Sequence, residues 1–212
     1  MTRFHLQVHL RHQTRALVLD VSFSVAEAAT AVVGGQRSGK TKLLDLLAGF
    51  LRPDQGTIRL QGIPLVDVEK RIFVSPRRRR IGLVPKGCAL FPHLTVEENL
   101  AFGIPRLHPD MLKRFQVVVN IFNLTAILKV KPQDLNPRET LHVAVARALI
   151  PLPHLLLLDE PTHMLDPDST PEEIEEVLEL IQEFDTPVLF TSRLAAGLPD
   201  TIHPVHLVPG TG

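Results

Sequence analysis

Two spacings of hydrophobic positions divide the chain into predicted strands and helices. Residues 3–25 contain two runs, at residues 4–10 and 17–25, in which apolar side chains occupy every second position. This pattern is typical of strands with one buried face. A polar break at residues 11–14 predicts a turn between two antiparallel strands. Unbroken apolar or β-branched runs are typical of strands buried more fully in a sheet. They predict further strands over residues 29–33, 57–60, 81–84, 155–158 and 188–190.

Helical spacing appears in three places. Residues 42–49 are apolar at helical intervals and end in Gly49, which predicts a helix with a glycine cap. The segment from about residue 85 to residue 147 changes to helical patterns, including residues 109–128, and indicates a helical insertion between two sheet-forming halves. A third helix is predicted to start at Thr170, with Thr170 as its cap and Pro171 in its first turn.

A glycine-rich stretch joins the strand at residues 29–33 to the helix that follows. It fits the pattern G-x-x-x-x-G-K-[ST] of the Walker A phosphate loop. Loop amides and the helix N-terminus favour phosphate oxygens, Lys40 is expected to reach the β- and γ-phosphates, and the Thr41 hydroxyl to ligate Mg²⁺. A chance glycine turn is the alternative. The loop residues are Gly34, Gly35, Gln36, Arg37, Ser38, Gly39, Lys40 and Thr41.

A second motif supports the phosphate-loop interpretation. Four leucines at residues 155–158 lead into Asp159 and Glu160. An acid at the carboxyl end of a parallel strand lies where open α/β sheets bind ligands. Asp159 is therefore expected to hold Mg²⁺, and Glu160 to polarise the attacking water as a general base. A core strand that ends in two solvated acids is the alternative, and the complete first motif outweighs it.

Composition narrows the class of partner. The 212 residues carry 23 basic and 23 acidic side chains, so the net charge of zero gives no general attraction to nucleic acid. The four arginines at residues 77–80 are either a nucleic-acid contact or a solvated loop, and we expect a solvated loop and no nucleic-acid partner. A lone cysteine, Cys88, fits a reducing compartment. No apolar run is long enough to span a bilayer, and the N-terminus is not a signal peptide, so we expect a soluble chain.

The order of these parts resembles the nucleotide-binding subunit of an ABC transporter over nearly the whole chain. Segments that carry the resemblance lie at residues 47–58, 89–103, 143–149, 159–161 and 165–166. The spacing from residues 65–67 to residues 75–80 is most similar to molybdate importer ATPases, with sulfate and iron importers as near neighbours. The resemblance implies an α/β fold: a P-loop (RecA-like) core with an antiparallel β edge, over residues 1–86 and 151–212, and a helical subdomain over residues 87–150.

The same resemblance implies a function. The chain would bind ATP and Mg²⁺ and hydrolyse ATP to drive an importer of an oxyanion such as molybdate. Two copies would form a homodimer that encloses two ATP molecules between them. The helical subdomain would dock on a membrane permease, which places the protein in the cytoplasm on the inner face of the membrane.

Several positions depart from the family pattern. Lys86 stands where a glutamine senses the γ-phosphate, and Arg193 replaces the switch histidine. Lys42 replaces a small hydroxyl residue near the α-phosphate, and the aromatic side chain that stacks on adenine falls near His12. The signature sequence Leu-Ser-Gly-Gly-Gln is replaced by Leu135, Asn136, Pro137, Arg138 and Glu139.

Two interpretations of these departures remain open. Lys86 and Arg193 carry positive charge and are candidate γ-phosphate sensors, since cations stabilise a transferring phosphoryl group. Alternatively, the chain binds ATP but is catalytically impaired or inactive, as a scaffold, a regulatory protein or a designed chain. Pro137 favours the second interpretation, because proline removes an amide and fixes φ where the family has glycine. A P-loop kinase for a small molecule is disfavoured, because no acceptor-site motif is present.

Overall fold

The computed structural model describes residues 4–104, 109–161, 171–195, 198–199, 201–202 and 204–207. In chain order the strands are β1 (Leu6–Gln13), β2 (Val18–Val25), β3 (Ala29–Val33), β4 (Gln55–Leu60), β5 (Ile63–Asp67), β6 (Ile72–Phe73), β7 (Ile81–Val84), β8 (Leu155–Leu158), β9 (Val188–Ser192) and β10 (Val205–His206). The helices are α1 (Lys40–Ala48), α2 (Pro76–Arg79), α3 (Val96–Ala101), α4 (Pro109–Ile121), α5 (Pro137–Leu149) and α6 (Pro171–Gln182).

One sheet is antiparallel, with the strand order β2-β1-β4-β5-β6. Its first two strands confirm the predicted antiparallel pair, and Leu10 pairs with Val21 across them. The predicted position of the turn was wrong, because β1 continues to Gln13 and the turn lies at residues 14–17 instead of 11–14. β4 starts at Gln55, two residues before the predicted strand. Gly56 in this strand has φ 99°, and a Cβ there would lie 2.0 Å from the His9 carbonyl oxygen of β1. A glycine is therefore required for the two strands to pair this closely.

The second sheet is parallel, with the order β10-β3-β9-β8-β7. β3, β7 and β8 have the bounds that the apolar runs predict, and β9 extends two residues further than expected. Successive residues of β8 belong to different cores: Leu155 and Leu157 pack with α1 and the antiparallel sheet, whereas Leu156 and Leu158 pack with α5 and α6. The apolar runs are unbroken because both faces of this sheet are covered.

The helices confirm part of the sequence prediction. α1 ends at Gly49, which has φ 91° and donates its amide to the Asp45 carbonyl as a C-terminal cap. α4 ends at Ile121, so the expected helix to residue 128 was too long. Asn123 has φ 52°, which breaks the helix before a 3₁₀ turn at Thr125–Ile127. Thr170, the predicted cap of α6, lies outside the described residues.

The prediction of a solvated loop at the four arginines was wrong for Arg79. The segment forms the short helix α2, and the Arg79 side chain is only 2% exposed. It donates hydrogen bonds of 2.7 Å to the carbonyl oxygens of Leu46 and Leu47, and one of 2.8 Å to that of Val74. The last carbonyl groups of α1 have no hydrogen-bond donor within the helix, and the buried guanidinium supplies the missing donors. Burial lowers the pKa of Arg79 to about 10.

α3, α4 and α5 lie within the segment expected to form a helical subdomain. They share one continuous hydrophobic core with a face of the parallel sheet. The division into a core and a subdomain therefore stays a prediction. Within the described residues, no helix is long and apolar enough to cross a membrane.

Candidate functional site

The predicted site residues meet at one edge of the parallel sheet. Gly34 follows β3, Lys86 lies two residues after β7, Asp159 follows β8 and Arg193 follows β9. Because parallel strands place all their carboxyl ends at the same edge, residues far apart in sequence come together there. A cavity of ≈ 410 Å³ opens at this edge.

The glycine-rich loop folds over the Lys40 side chain. Lys40 is buried, and its Nζ donates to the carbonyl oxygens of Gly34 at 2.6 Å and Gly35 at 2.9 Å. Gly39 has φ 94° immediately before α1, and a Cβ there would lie 2.9 Å from Leu17 Cδ2. A Cβ on Gly34 would lie 2.4 Å from Ser38 Oγ, whereas one on Gly35 would meet nothing within 4 Å. Glycine is therefore favoured at residue 39 by its positive φ and at residue 34 by close packing against Ser38.

A hydrogen-bonded chain joins the two motifs. Thr41 Oγ1 donates to Asp159 Oδ2 at 2.8 Å. The other carboxylate oxygen, Oδ1, accepts a 2.9 Å bond from Thr191 Oγ1 of β9. The same Thr191 hydroxyl accepts a 2.7 Å bond from the Glu160 amide. Thr191 therefore holds both acids at the end of β8, in an orientation that faces the phosphate loop.

Glu160 is surrounded by positive charge. Its Oε2 lies 2.9 Å from Lys86 Nζ and 3.2 Å from Arg193 Nε, and its Oε1 lies 3.3 Å from Lys40 Nζ. Burial alone would raise the pKa of Glu160, but the hydrogen bonds and charges of Lys86 and Lys40 outweigh it and lower the pKa to about 2. The carboxylate is thus firmly ionised and a weak proton acceptor in this arrangement.

The oxygen atoms of Thr41 and Asp159 fit a magnesium ion. They are hard ligands and lie side by side, and Thr41 lines the cavity. Among the described residues there is no group of three or more His, Cys, Asp or Glu side chains that could hold a metal. Mg²⁺ is commonly bound by one or two protein oxygens together with water and substrate phosphates. Two protein oxygens are therefore enough to bind a magnesium ion that also binds the phosphates of a nucleotide.

Most of the predicted residues line the cavity. Three predicted residues, Gly34, Gly35 and Asp159, do not line the cavity, but each accepts a hydrogen bond from a residue that does. The described lining also includes Ala16 and Leu17, from the turn between β1 and β2, which the sequence did not indicate. The predicted residues that line the cavity are Gln36, Arg37, Ser38, Gly39, Lys40, Thr41, Lys42, Lys86, Glu160 and Arg193.

His12 is not among the described residues that line the cavity. Its Nδ1 lies 3.4 Å from Oδ2 of Asp54, which is the last residue of the loop that connects α1 to β4. The proposed stacking of His12 on adenine stays a prediction.

The residues that replace the signature sequence form an ordinary helix start. Asn136 Oδ1 accepts from the Glu139 amide at 2.8 Å, and Glu139 Oε2 accepts from the Asn136 amide at 2.9 Å. This reciprocal pair is a capping box, and Pro137 occupies the first helical position, where its missing amide costs no hydrogen bond. Arg138 forms an ion pair with Glu176 of α6. The family segment at residues 165–166 lies outside the described residues.

Thr191 is the functional residue that sequence reasoning missed. It is fully buried and bonds to both acids of the second motif. The available signal was a hydroxyl residue at the end of a predicted buried strand, two positions before Arg193. That signal is weak, because threonine is common in strands for reasons of packing.

The parallel sheet, the phosphate loop and the acid pair define a P-loop nucleotide-binding fold. The family model described as "ABC transporter" matches residues 18–163. The chain therefore belongs to the ABC transporter family of ATP-binding domains.

Curated relatives point to one branch of this family. The molybdenum import ATP-binding protein ModC of Paramagnetospirillum magneticum is 36% identical over 190 residues, which cover 89% of this chain and 52% of the relative. ModC of Mesorhizobium japonicum is 34% identical over 194 residues, which cover 90% and 52%. The chain thus spans about half the length of the curated relatives it matches.

A solved structure supports the fold. CbiO1 of Clostridium perfringens, described as part of the ABC transporter complex cbiONQ, superposes with a TM-score of 0.75. The superposition covers 96% of this chain and 86% of that one, at 21% sequence identity. At this level of identity, the likeness concerns the fold alone.

Proposed function

We propose that this chain is the ATP-binding subunit of an ABC importer and hydrolyses ATP to drive uptake of an oxyanion such as molybdate. The observation that carries the proposal is the hydrogen bond between Thr41 and Asp159, which joins the phosphate loop to the acid pair. The molybdenum-import names of the curated relatives support this substrate class.

Each residue has a defined part in this proposal. Lys40 and the loop amides neutralise the phosphates, and Thr41 and Asp159 hold Mg²⁺. When bound, Mg²⁺ would offset negative charge on the phosphate oxygens. Lys42 lies near the start of α1 and adds a cation to the same cavity. Catalysis in this class depends on positioning and electrostatics rather than on a covalent intermediate.

Glu160 would lose its ion pairs with the surrounding cations when ATP binds. Lys40, Lys86 and Arg193 hold its carboxylate in the structure. A γ-phosphate carries more negative charge than one carboxylate, so it attracts the same three cations. Once they turn to the phosphate, the pKa of Glu160 rises from about 2 toward its ordinary value, and the carboxylate becomes able to orient and polarise water. Lys86 and Arg193 would then serve as γ-phosphate sensors.

The partners follow from family membership. We infer a homodimer that encloses ATP between two copies, and a permease that receives the segment at residues 87–150. This arrangement places the protein on the cytoplasmic face of a membrane. The molybdenum-import names of the curated relatives support association with a transporter.

A second candidate function is favoured by the start of α5. The amides of Asn136 and Glu139 are already bonded within the capping box, and the Glu139 carboxylate lies at the helix N-terminus. A phosphate from a second copy would meet this negative charge. Arg138, the nearby cation, is paired with Glu176 of the same chain. These contacts favour a chain that binds ATP but hydrolyses it poorly.

The test is steady-state ATPase activity of the purified full chain with Mg²⁺, beside Glu160→Gln. Turnover that disappears in the variant supports the importer ATPase. ATP binding without turnover in either protein, with binding lost in Lys40→Ala, supports the second candidate. Absence of ATP binding in the parent chain contradicts both.

A second experiment asks whether the replaced residues cause poor turnover. If they do, restoring the family residues creates ATP-dependent dimerisation and hydrolysis, whereas unchanged behaviour contradicts this explanation. The substitutions are Lys86→Gln, Asn136→Ser, Pro137→Gly, Arg138→Gly, Glu139→Gln and Arg193→His.

A further inference from the structure

The cavity at the sheet edge has a strongly charged lining. Of the twelve described residues that line it, five are cationic and one is anionic. The cations come from three separate places: the phosphate loop and α1, the second residue after β7, and the residue after β9. They are Arg37, Lys40, Lys42, Lys86 and Arg193, and the anion is Glu160. The dominant chemistry offered to a ligand is therefore recognition of several negative charges close together.

Outside the phosphate loop and α1, the uncharged lining of the cavity consists of two aliphatic side chains. Ala16 is exposed and Leu17 is partly buried, and both lie in the turn that joins β1 and β2. Leu17 packs directly against Gly39 of the loop, because a Cβ added to Gly39 would lie only 2.9 Å from Leu17 Cδ2. Aliphatic contacts exclude water from a base but do not distinguish one base from another, because they read neither its hydrogen-bonding edge nor its ring system.

No phenylalanine, tyrosine or tryptophan provides a stacking platform in this cavity. The chain has no Trp and no Tyr, and all ten Phe residues lie in the described ranges without lining the cavity. His12, the nearest expected substitute, has its Nδ1 close to Asp54 instead. Stacking on an aromatic side chain typically strengthens binding of a base by about 5- to 150-fold. Adenine would have to bind here without that contribution.

We propose that this site recognises the triphosphate group rather than the base, so that its ligand class is magnesium-complexed polyphosphates. It binds ATP, GTP and inorganic tripolyphosphate with similar affinities. The inference rests on the proposed function, because it requires that the glycine-rich loop binds phosphate. It goes further by stating which part of the nucleotide supplies the affinity.

The experiment is calorimetric titration of the full chain with ATP, GTP and inorganic tripolyphosphate, each with excess Mg²⁺. The expected result is three Kd values within fivefold of one another, all lost in Lys40→Ala. A Kd for ATP more than fivefold below that of GTP or tripolyphosphate overturns the inference while leaving the proposed function intact. Absence of binding by all three ligands overturns both.

A substitution in the aliphatic wall provides an independent test. Ala16→Tyr offers a ring beside the cavity, and Ala16→Leu is the matched control that adds apolar surface without a ring. We expect Ala16→Tyr to lower the Kd for ATP by at least fivefold and to leave that for tripolyphosphate unchanged, and Ala16→Leu to leave the ratio of the two Kd values unchanged. Equal effects of the tyrosine on both ligands, or none on either, would overturn the assignment of this wall to the base.

Discussion

Thr41 and Asp159 are 118 positions apart in the chain and share a hydrogen bond of 2.8 Å. The strands that carry their motifs, β3 and β8, are not neighbours, because β9 lies between them. Thr191 of that middle strand bonds to the other oxygen of Asp159 and to the amide of Glu160. The middle strand therefore positions the acids opposite the phosphate loop.

Thr191→Val should destabilise the protein by about 1–3 kcal/mol. Valine has nearly the same shape but no hydroxyl, so it leaves the buried Glu160 amide and one Asp159 oxygen without partners. The measurement is the free energy of unfolding from urea titration, beside Mg²⁺-dependent ATP binding, which should also weaken.

Thr30→Val is the matched control for this substitution. Thr30 is a buried threonine of β3, in the same sheet, and its Oγ1 has no hydrogen-bond partner. Removing an unpaired hydroxyl should leave stability unchanged or raise it slightly. Equal losses in the two variants would show that Thr191 acts through packing alone.

Arg79→Ala should cost roughly 2–5 kcal/mol of stability. The substitution removes charge-assisted hydrogen bonds to the carbonyl oxygens of Leu46, Leu47 and Val74. These oxygens are then left without partners beside the space that the arginine side chain had filled. Arg78→Ala, at an exposed position of the same short helix, should change stability by less than about 0.5 kcal/mol. Thermal and urea unfolding of both variants would check this, and similar values for the two would contradict the role assigned to Arg79.

Stability should depend on the ionisation of Glu160 at acidic pH. The pKa of this carboxyl is about 2 in the folded protein, below its ordinary value of 4.5. The unfolded chain therefore binds a proton more readily, so the stabilisation is complete above about pH 4.5 and is lost as pH falls toward 2. Glu160→Gln removes this contribution.

The measurement is the difference in the free energy of unfolding between the parent chain and Glu160→Gln at pH 5, 4 and 3. We expect the advantage of the parent chain to shrink steadily over that range. Other carboxyl groups titrate in both proteins, so their effects cancel in the difference. A difference independent of pH would mean that the three cations do not hold Glu160 in solution.

His142 should make the protein less stable below about pH 6.5. Burial lowers the pKa of this side chain of α5, and Arg138 lowers it further, whereas Glu176 and Glu139 act in the opposite direction. The folded protein therefore takes up the proton less readily than the unfolded chain, so stability is present above the ordinary histidine pKa and falls as pH decreases through it.

His142→Leu should flatten this part of the pH profile. Nε2 of His142 has no hydrogen-bond partner, and the ring packs edge-on against Phe122, so leucine preserves an apolar contact without leaving a lost bond. The free energy of unfolding at pH 7.5, 6.5 and 5.5 would be compared between parent and variant. Parallel profiles would show that protonation of His142 is not coupled to folding.

The sequence predicted the strands with unbroken apolar runs well, since β3, β7 and β8 have the expected bounds. It missed β6 and β10, which are two-residue strands at sheet edges, and β5, which lies between β4 and β6. Edge strands are half-exposed, so their residues carry a weak periodic signal. The helix expected to reach residue 128 ended early because a single residue, Asn123, adopts positive φ, which no periodicity indicates.

By itself, the sequence determined the glycine loop, the acid pair after the leucine strand and the family. These features are local, and each depends on a few adjacent residues whose conformation and chemistry follow from their types. Only the tertiary structure decided which groups meet: three cations at Glu160, a threonine bridge at Asp159, and an aliphatic rather than aromatic wall beside the loop. Those contacts depend on strand order and on the packing of distant segments, which adjacent residues do not specify.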